Sequence, residues 1–116
     1  MRYLLNSAVI TAPGFYRYRL VTIAEARANW GRGQVNWQST IGYATTAELL
    51  SALLGVPVAV NSVPCTMQPG DEALVCRFAP GQRLDRRLKS GQEGRAWAEE
   101  QFIAGNFELG VLRREE

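Results

Sequence analysis

The segment Ser39-Thr40-Ile41-Gly42-Tyr43-Ala44-Thr45-Thr46 places hydroxyls, small residues and one glycine directly ahead of a helical pattern. The first turn of a helix leaves backbone N–H groups unpaired and carries a partial positive charge. Gly42 allows a ligand to approach the backbone closely. Phosphate, or another anion, suits such a place. The plainer reading of the same residues is an N-cap made by Ser39 or Thr40.

Two further groups carry potential chemistry. Asn6 and Ser7 follow an apolar strand core, where they can hydrogen-bond a base or a ribose, or close the turn at Pro13-Gly14. Arg77, Arg83, Arg86 and Arg87, with Asp85, lie on or just after an apolar run over residues 73–78. Guanidinium groups grip phosphate through two parallel bonds, so this loop reads either as a phosphate clamp or as a solvated surface.

The missing residue types narrow the chemistry. The chain has no histidine, which removes the serine–histidine–aspartate relay. No spacing of paired metal ligands occurs, so neither a metal nor a cofactor is expected. No glycine-rich loop ends in Lys-Ser or Lys-Thr. An enzyme made from these residues works by positioning and charge stabilisation, without a strong general base.

These groups need a scaffold, and 116 residues suffice for one domain with one core. The composition, 47% hydrophobic and 21% charged, is that of a folded chain and argues against disorder. A net charge of +2 gives no bulk field to draw the protein onto duplex DNA or an anionic membrane. Lys89 is the only lysine. The dominance of arginine fits phosphate recognition or, equally, GC-rich codon usage. Cys65 and Cys76 fall on separate predicted strands and read as reduced structural thiols, which suggests a cytoplasmic protein. The apolar run at the start is broken by Asn6 and is too short for a signal peptide, and no run reaches transmembrane length.

Residues 2–11 predict a buried first strand. Residues 15–21 alternate, with Tyr16, Tyr18 and Leu20 on one side and Arg17 and Arg19 on the other. This predicts a second strand, hairpin-paired with the first. Thr22 and Glu25 form a capping-box pattern for a helix ending near Trp30, before Gly31-Arg32-Gly33. Residues 35–42 read as a connection. Residues 43–54 predict a helix with Ala47, Leu50, Leu53 and Leu54 on its buried stripe, stopped by Gly55 and Pro57. Short strands follow over 58–60 and, after the turn at Pro69-Gly70-Asp71, over 73–78. An arginine-rich loop spans 79–89. A helix over 90–104 carries Trp97, Phe102 and Ile103, and a strand over 107–112 closes the fold. The expected architecture is a single α/β domain: a mixed sheet of about five strands flanked by helices, with ligands outside the strand ends.

Four segments in this order resemble one family: residues 3–7, residues 39–58 from Ser39 to Val58, residues 69–75 beginning Pro69-Gly70-Asp71, and residues 107–112. The pattern is similar to that of the viral ring nucleases, anti-CRISPR proteins of archaeal viruses with bacterial and prophage relatives. The resemblance covers most of the chain, and the middle segment is its most specific part. It implies a mixed sheet flanked by helices and a homodimer that binds cyclic tetra-adenylate, the messenger of type III CRISPR defence, across its two-fold axis. It also implies ring cleavage without metal, by attack of a ribose 2′-OH on the adjacent phosphate.

Carried onto this sequence, the resemblance places Asn6 and Ser7 at base or ribose. Ser39 and the residues Gly42, Ala44, Thr45 and Thr46 fall at phosphate, with Asn61, Arg77 and Arg86 as further ligand contacts. Arg83 is the best-placed arginine of the loop, with Arg77 as the other candidate to stabilise charge on phosphorus. The family's catalytic glutamate falls near Asp85 or Arg86. Two departures stand out. Tyr43 occupies the position of the family's catalytic histidine, and Asn61-Ser62 replaces a common Asn-Arg, removing one phosphate-binding arginine. General acid–base help contributes about 10²–10⁴-fold in rate, and phenols ordinarily titrate near pH 10, roughly three units from neutrality. The expectations are therefore a slow ring nuclease using Tyr43, Arg83 and Asp85; a sponge or sensor that holds the ring; or a relative turned to another nucleotide.

Overall fold

The computed structural model describes residues 2–6, 12–33, 36–79 and 92–116. In chain order these form β1 (Arg2–Leu5), β2 (Tyr16–Val21), α1 (Ile23–Trp30), β3 (Gln38–Ser39), α2 (Ala44–Leu54), β4 (Glu72–Phe78), α3 (Gln92–Ile103) and β5 (Phe107–Arg114). The strands make one mixed sheet in the order β2-β5-β4-β1-β3. This is the expected α/β domain with five strands and flanking helices.

The strand pairing corrects one expectation. β1 does not form a hairpin with β2; it runs parallel to β3 on one side and to β4 on the other. β2 instead pairs antiparallel with β5, from Tyr16 opposite Arg114 to Val21 opposite Leu109. The apolar run in β1 is that of an inner strand with neighbours on both sides, whereas the alternation in β2 suits an outer strand. Residues 7–11 of the predicted first strand lie outside the described residues. The predicted strand over 58–60 is not a strand, and the predicted connection over 35–42 contains β3.

Local signals account for the helices. At the start of α1, the backbone N–H of Glu25 donates to Thr22 Oγ1 at 3.1 Å while the Thr22 N–H donates to Glu25 Oε1 at 3.2 Å. This reciprocal pair satisfies two N–H groups that a helix end leaves open. Arg27 then ties the helices together, donating from Nε to the Leu53 carbonyl at 2.8 Å and meeting Glu99 of α3 at 3.4 Å. α2 buries Thr46, Ala47, Leu49, Leu50, Leu53 and Leu54 and ends at Gly55 in the left-handed conformation.

The helices cover one face of the sheet, where Leu4, Leu74, Cys76, Leu109 and Val111 meet Ala26, Trp30, Leu50, Leu53 and Ala98. Burying one such leucine contributes about 1.5–3 kcal/mol. Burial pushes the Cys76 thiol up to about 12, so it stays protonated at neutral pH. On the opposite face Ala73, Val75 and Leu112 pack with Tyr3, Leu5, Tyr16 and Tyr18 beneath Cys65 and Met67. Cys65 is therefore not on a strand, and the sheet separates the two cysteines. No helix among the described residues is long and apolar enough to cross a membrane.

Candidate functional site

Because β1, β3 and β4 run parallel, their C-terminal ends share one edge of the sheet. The chain leaves β3 at this edge, passes through residues 40–43 and turns into α2. Asn6, half-buried, directly follows β1 at the same edge.

The residues ahead of α2 are fixed by the strands and not by the helix. The Thr40 hydroxyl donates to the Leu4 carbonyl at 2.7 Å, and the Thr40 N–H reaches the same oxygen at 3.0 Å. The Ser39 hydroxyl donates to the Ala59 carbonyl at 2.7 Å and accepts from the Ile41 N–H at 3.3 Å. Neither side chain caps α2, which corrects the plainer reading of this segment. The N-cap is Tyr43, in extended conformation, and its side chain makes no cap hydrogen bond to the first turn. No acidic residue stands in that turn either. Among the described residues, neither a side-chain cap nor a first-turn carboxylate offsets the partial positive charge of this helix end.

A strap over residues 58–63 backs this edge. Asn61 donates from Nδ2 to the Ser39 carbonyl at 2.9 Å and from its backbone N–H to the Ile41 carbonyl at 2.8 Å. Its amide is thus engaged in holding the site from behind. Ser62 stands over Gly42: a Cβ on Gly42 would lie 3.2 Å from the Ser62 hydroxyl. The Ser62 contact was not legible in the sequence, where residues 58–60 pass for a strand.

The structure brings Asn6, Ser39, Gly42, Tyr43, Ala44, Thr45 and Asn61 together at one sheet edge. Tyr43 is 66% exposed, so its phenol is open to a ligand. The Thr46 side chain is buried, which leaves its backbone as the part at the helix end. Arg77 is not in this group. It lies on β4, separated from β3 by β1, hence roughly 10 Å across the sheet. It points to the face away from the helices, where its Nε meets Glu108 Oε1 at 3.1 Å. Ser7, Arg83, Asp85, Arg86 and Arg87 lie outside the described residues.

Chemically, the edge offers a helix end without a side-chain cap among the described residues and an exposed phenol beside it. That combination suits a phosphate group with an oxygen near Tyr43.

The profile of the STIV B116-like family matches residues 2–109. Over 115 residues the chain is 30% identical to the uncharacterised protein ORF117 of Acidianus two-tailed virus, covering 97% of this chain and 92% of that one. It is 37% identical to the uncharacterised protein YddF of Bacillus subtilis strain 168 over 57 residues, a match that spans 49% of this chain and 53% of YddF. Among solved structures, B116 of Sulfolobus turreted icosahedral virus has the same fold, with a TM-score of 0.74 at 18% identity over 97% of this chain and 98% of B116.

Proposed function

This chain belongs to the STIV B116-like family, and we propose that it binds a cyclic oligoadenylate, foremost cyclic tetra-adenylate, and opens the ring slowly. The products are linear, with 2′,3′-cyclic phosphate ends, and their release from the ring switches off type III CRISPR signalling in the cytoplasm.

The observation that carries this reading is the α2 N-terminus: uncapped, without a first-turn carboxylate, and flanked by the exposed phenol of Tyr43. A phosphodiester seated on the N–H groups of residues 44–46 meets partial positive charge. The adjacent ribose 2′-OH then attacks phosphorus, a new O–P bond forms and the 5′-oxygen leaves. Tyr43 donates a hydrogen bond or proton to that oxygen, while the 2′-OH proton passes to water. Backbone N–H groups and the loop's Arg83 oppose the charge that builds on the phosphoryl oxygens. Asn6 and Ser7 contact base or ribose, Ser39 and Asn61 hold the edge in shape, and Asp85 and Arg86 complete the surroundings of the ring. Two copies related by a two-fold axis present two such edges to a ring of matching symmetry.

A second reading, a sponge that holds the ring intact, is favoured by one observation. Tyr43 is 66% exposed, so water competes for the hydrogen bond it would give to the leaving oxygen.

Single-turnover incubation of the protein with labelled cyclic tetra-adenylate in EDTA tests both readings. Linear di-adenylate that fails to form with Tyr43→Phe supports the nuclease. Tight binding of an intact ring replaces it with the sponge. Absence of binding rejects both and points to another nucleotide.

A further inference from the structure

At the end of the sheet opposite the α2 edge, where β1 and β4 begin, a cavity of about 140 Å³ lies between the strands and α1. Its floor is aliphatic, made by Val21, Ala26 and Val111. Its rim is charged. On the β2 side, Arg19 meets Glu25 at 3.4 Å, so these two charges offset each other. Arg2 of β1 and Glu72 of β4 make the other side and stand opposite each other in register.

Neighbouring strands lie only about 4.8 Å apart, yet Arg2 and Glu72 do not pair. Helix α1 holds the guanidinium instead. Arg2 Nη2 donates to the Asn29 carbonyl, and the group lies over the Trp30 ring, 4.0 Å from its centroid. Arg2 Nε and Nη1 have no partner among the described residues, and neither has the Glu72 carboxylate. A fixed donor and an open acceptor thus sit side by side on one cavity rim.

The lining charges cancel, so a simple anion or cation entering the cavity meets a group of its own sign. A neutral molecule with an N–H donor beside an acceptor avoids both penalties. A cavity of about 150 Å³ takes one benzene ring, so the volume here suits a single six-membered ring with its polar edge toward the rim. We propose that this cavity binds a cytosine-type base. The exocyclic N4–H₂ donates to Glu72, a pairing that carboxylates readily make, while N3 and O2 accept from the open N–H groups of Arg2. Adenine has a similar edge on a larger, two-ring body. Uracil has the right size but carries an oxygen where cytosine has its amino group. The site shares no residue with the α2 edge and does not depend on the function proposed above.

Equilibrium binding of cytidine and uridine to the full-length chain tests this, with thermal melting to confirm folding of each variant. Cytidine should bind about tenfold or more tightly than uridine, whose O4 would face the Glu72 carboxylate. Glu72→Gln should bring the two within about twofold, because a carboxamide can turn its N–H₂ toward O4. Arg2→Met keeps an apolar side chain against Trp30 and should weaken cytidine about tenfold through the lost donors. A short oligocytidylate distinguishes the source of the base: affinity above that of cytidine assigns it to a strand, and equal affinity to a free nucleoside. Cytidine that fails to bind, or binds no better than uridine, overturns the proposal. A cytidine preference that survives intact in Glu72→Gln overturns it as well, because the base then lies away from this rim.

Discussion

The Tyr18 ring lies against Gly110 so closely that a Cβ there would stand 2.3 Å from both Cζ and Oη. Tyr18 faces Leu112 in register, so its ring reaches diagonally across β5 to the glycine. An aromatic ring on a neighbouring strand covers the backbone that a glycine leaves bare. Gly110→Ala should therefore destabilise the fold by about 1–3 kcal/mol, the usual range for overpacking. Tyr18→Phe keeps the ring and removes a buried hydroxyl that has no hydrogen-bond partner among the described residues. Such a hydroxyl carries a desolvation cost of about 1–3 kcal/mol, so urea unfolding of this variant should show unchanged or higher stability. Marked destabilisation would reveal a bond to that hydroxyl in solution.

What was legible in the sequence was local. The Thr22–Glu25 box, the apolar stripe of α2 and its stop at Gly55 all depend on residues within a turn or two of each other. The pairing of β2 with β5 joins residues at opposite ends of the chain, and no periodicity encodes a partner. A turn at Pro13-Gly14 favoured the neighbouring strand instead. The same limit applies at the site. Ser39 and Thr40 have the residue types of N-caps, yet their hydroxyls serve Ala59 and Leu4, which only the parallel sheet brings near. Tyr43 stood out in the sequence as a departure from the family pattern, but its place as the N-cap of α2, with no side-chain cap bond, required the fold.

Asn61 separates support from contact. Its side chain donates to the Ser39 carbonyl at 2.9 Å. Losing a bond of this kind costs about 0.5–1.5 kcal/mol, so Asn61→Ala should lower stability by that amount. Asn61→Asp should cost more, because a carboxylate would face the carbonyl oxygen that now accepts. Ring binding should fall in parallel with stability in both variants. Weaker binding with unchanged stability would instead make Asn61 a direct ligand contact.

Asp71 ties stability to acid. Burial alone would raise its carboxyl, but the backbone N–H of Gln68, at 2.8 Å from Oδ2, and the nearby Arg114 hold it below the ordinary 3.8. A carboxylate that is more acidic folded than unfolded stabilises the fold once the pH exceeds the unfolded value, about 4. That contribution disappears as pH falls through the folded value. Wild-type stability should decline below about pH 4, and Asp71→Asn should be less stable at neutral pH with a flatter acid limb. An unchanged acid limb in Asp71→Asn would assign the decline to other carboxylates.

Tyr43→His tests the chemistry most directly, because it changes the proton donor and leaves the helix end alone. Tyr43 makes no side-chain cap bond and is exposed, so the substitution has little structure to disturb. An imidazolium gives up its proton near pH 6.5, about three and a half units below a phenol. If a ring phosphate sits on the α2 N-terminus with its leaving oxygen toward residue 43, single-turnover cleavage should rise by up to about 10²–10⁴-fold. The rate should then fall as pH rises through the imidazole value, since the acid form is the active one. Affinity for the ring should change little, because the backbone N–H groups that hold phosphate are untouched. A histidine variant that binds the ring and still leaves it intact would place the leaving oxygen elsewhere and favour the sponge.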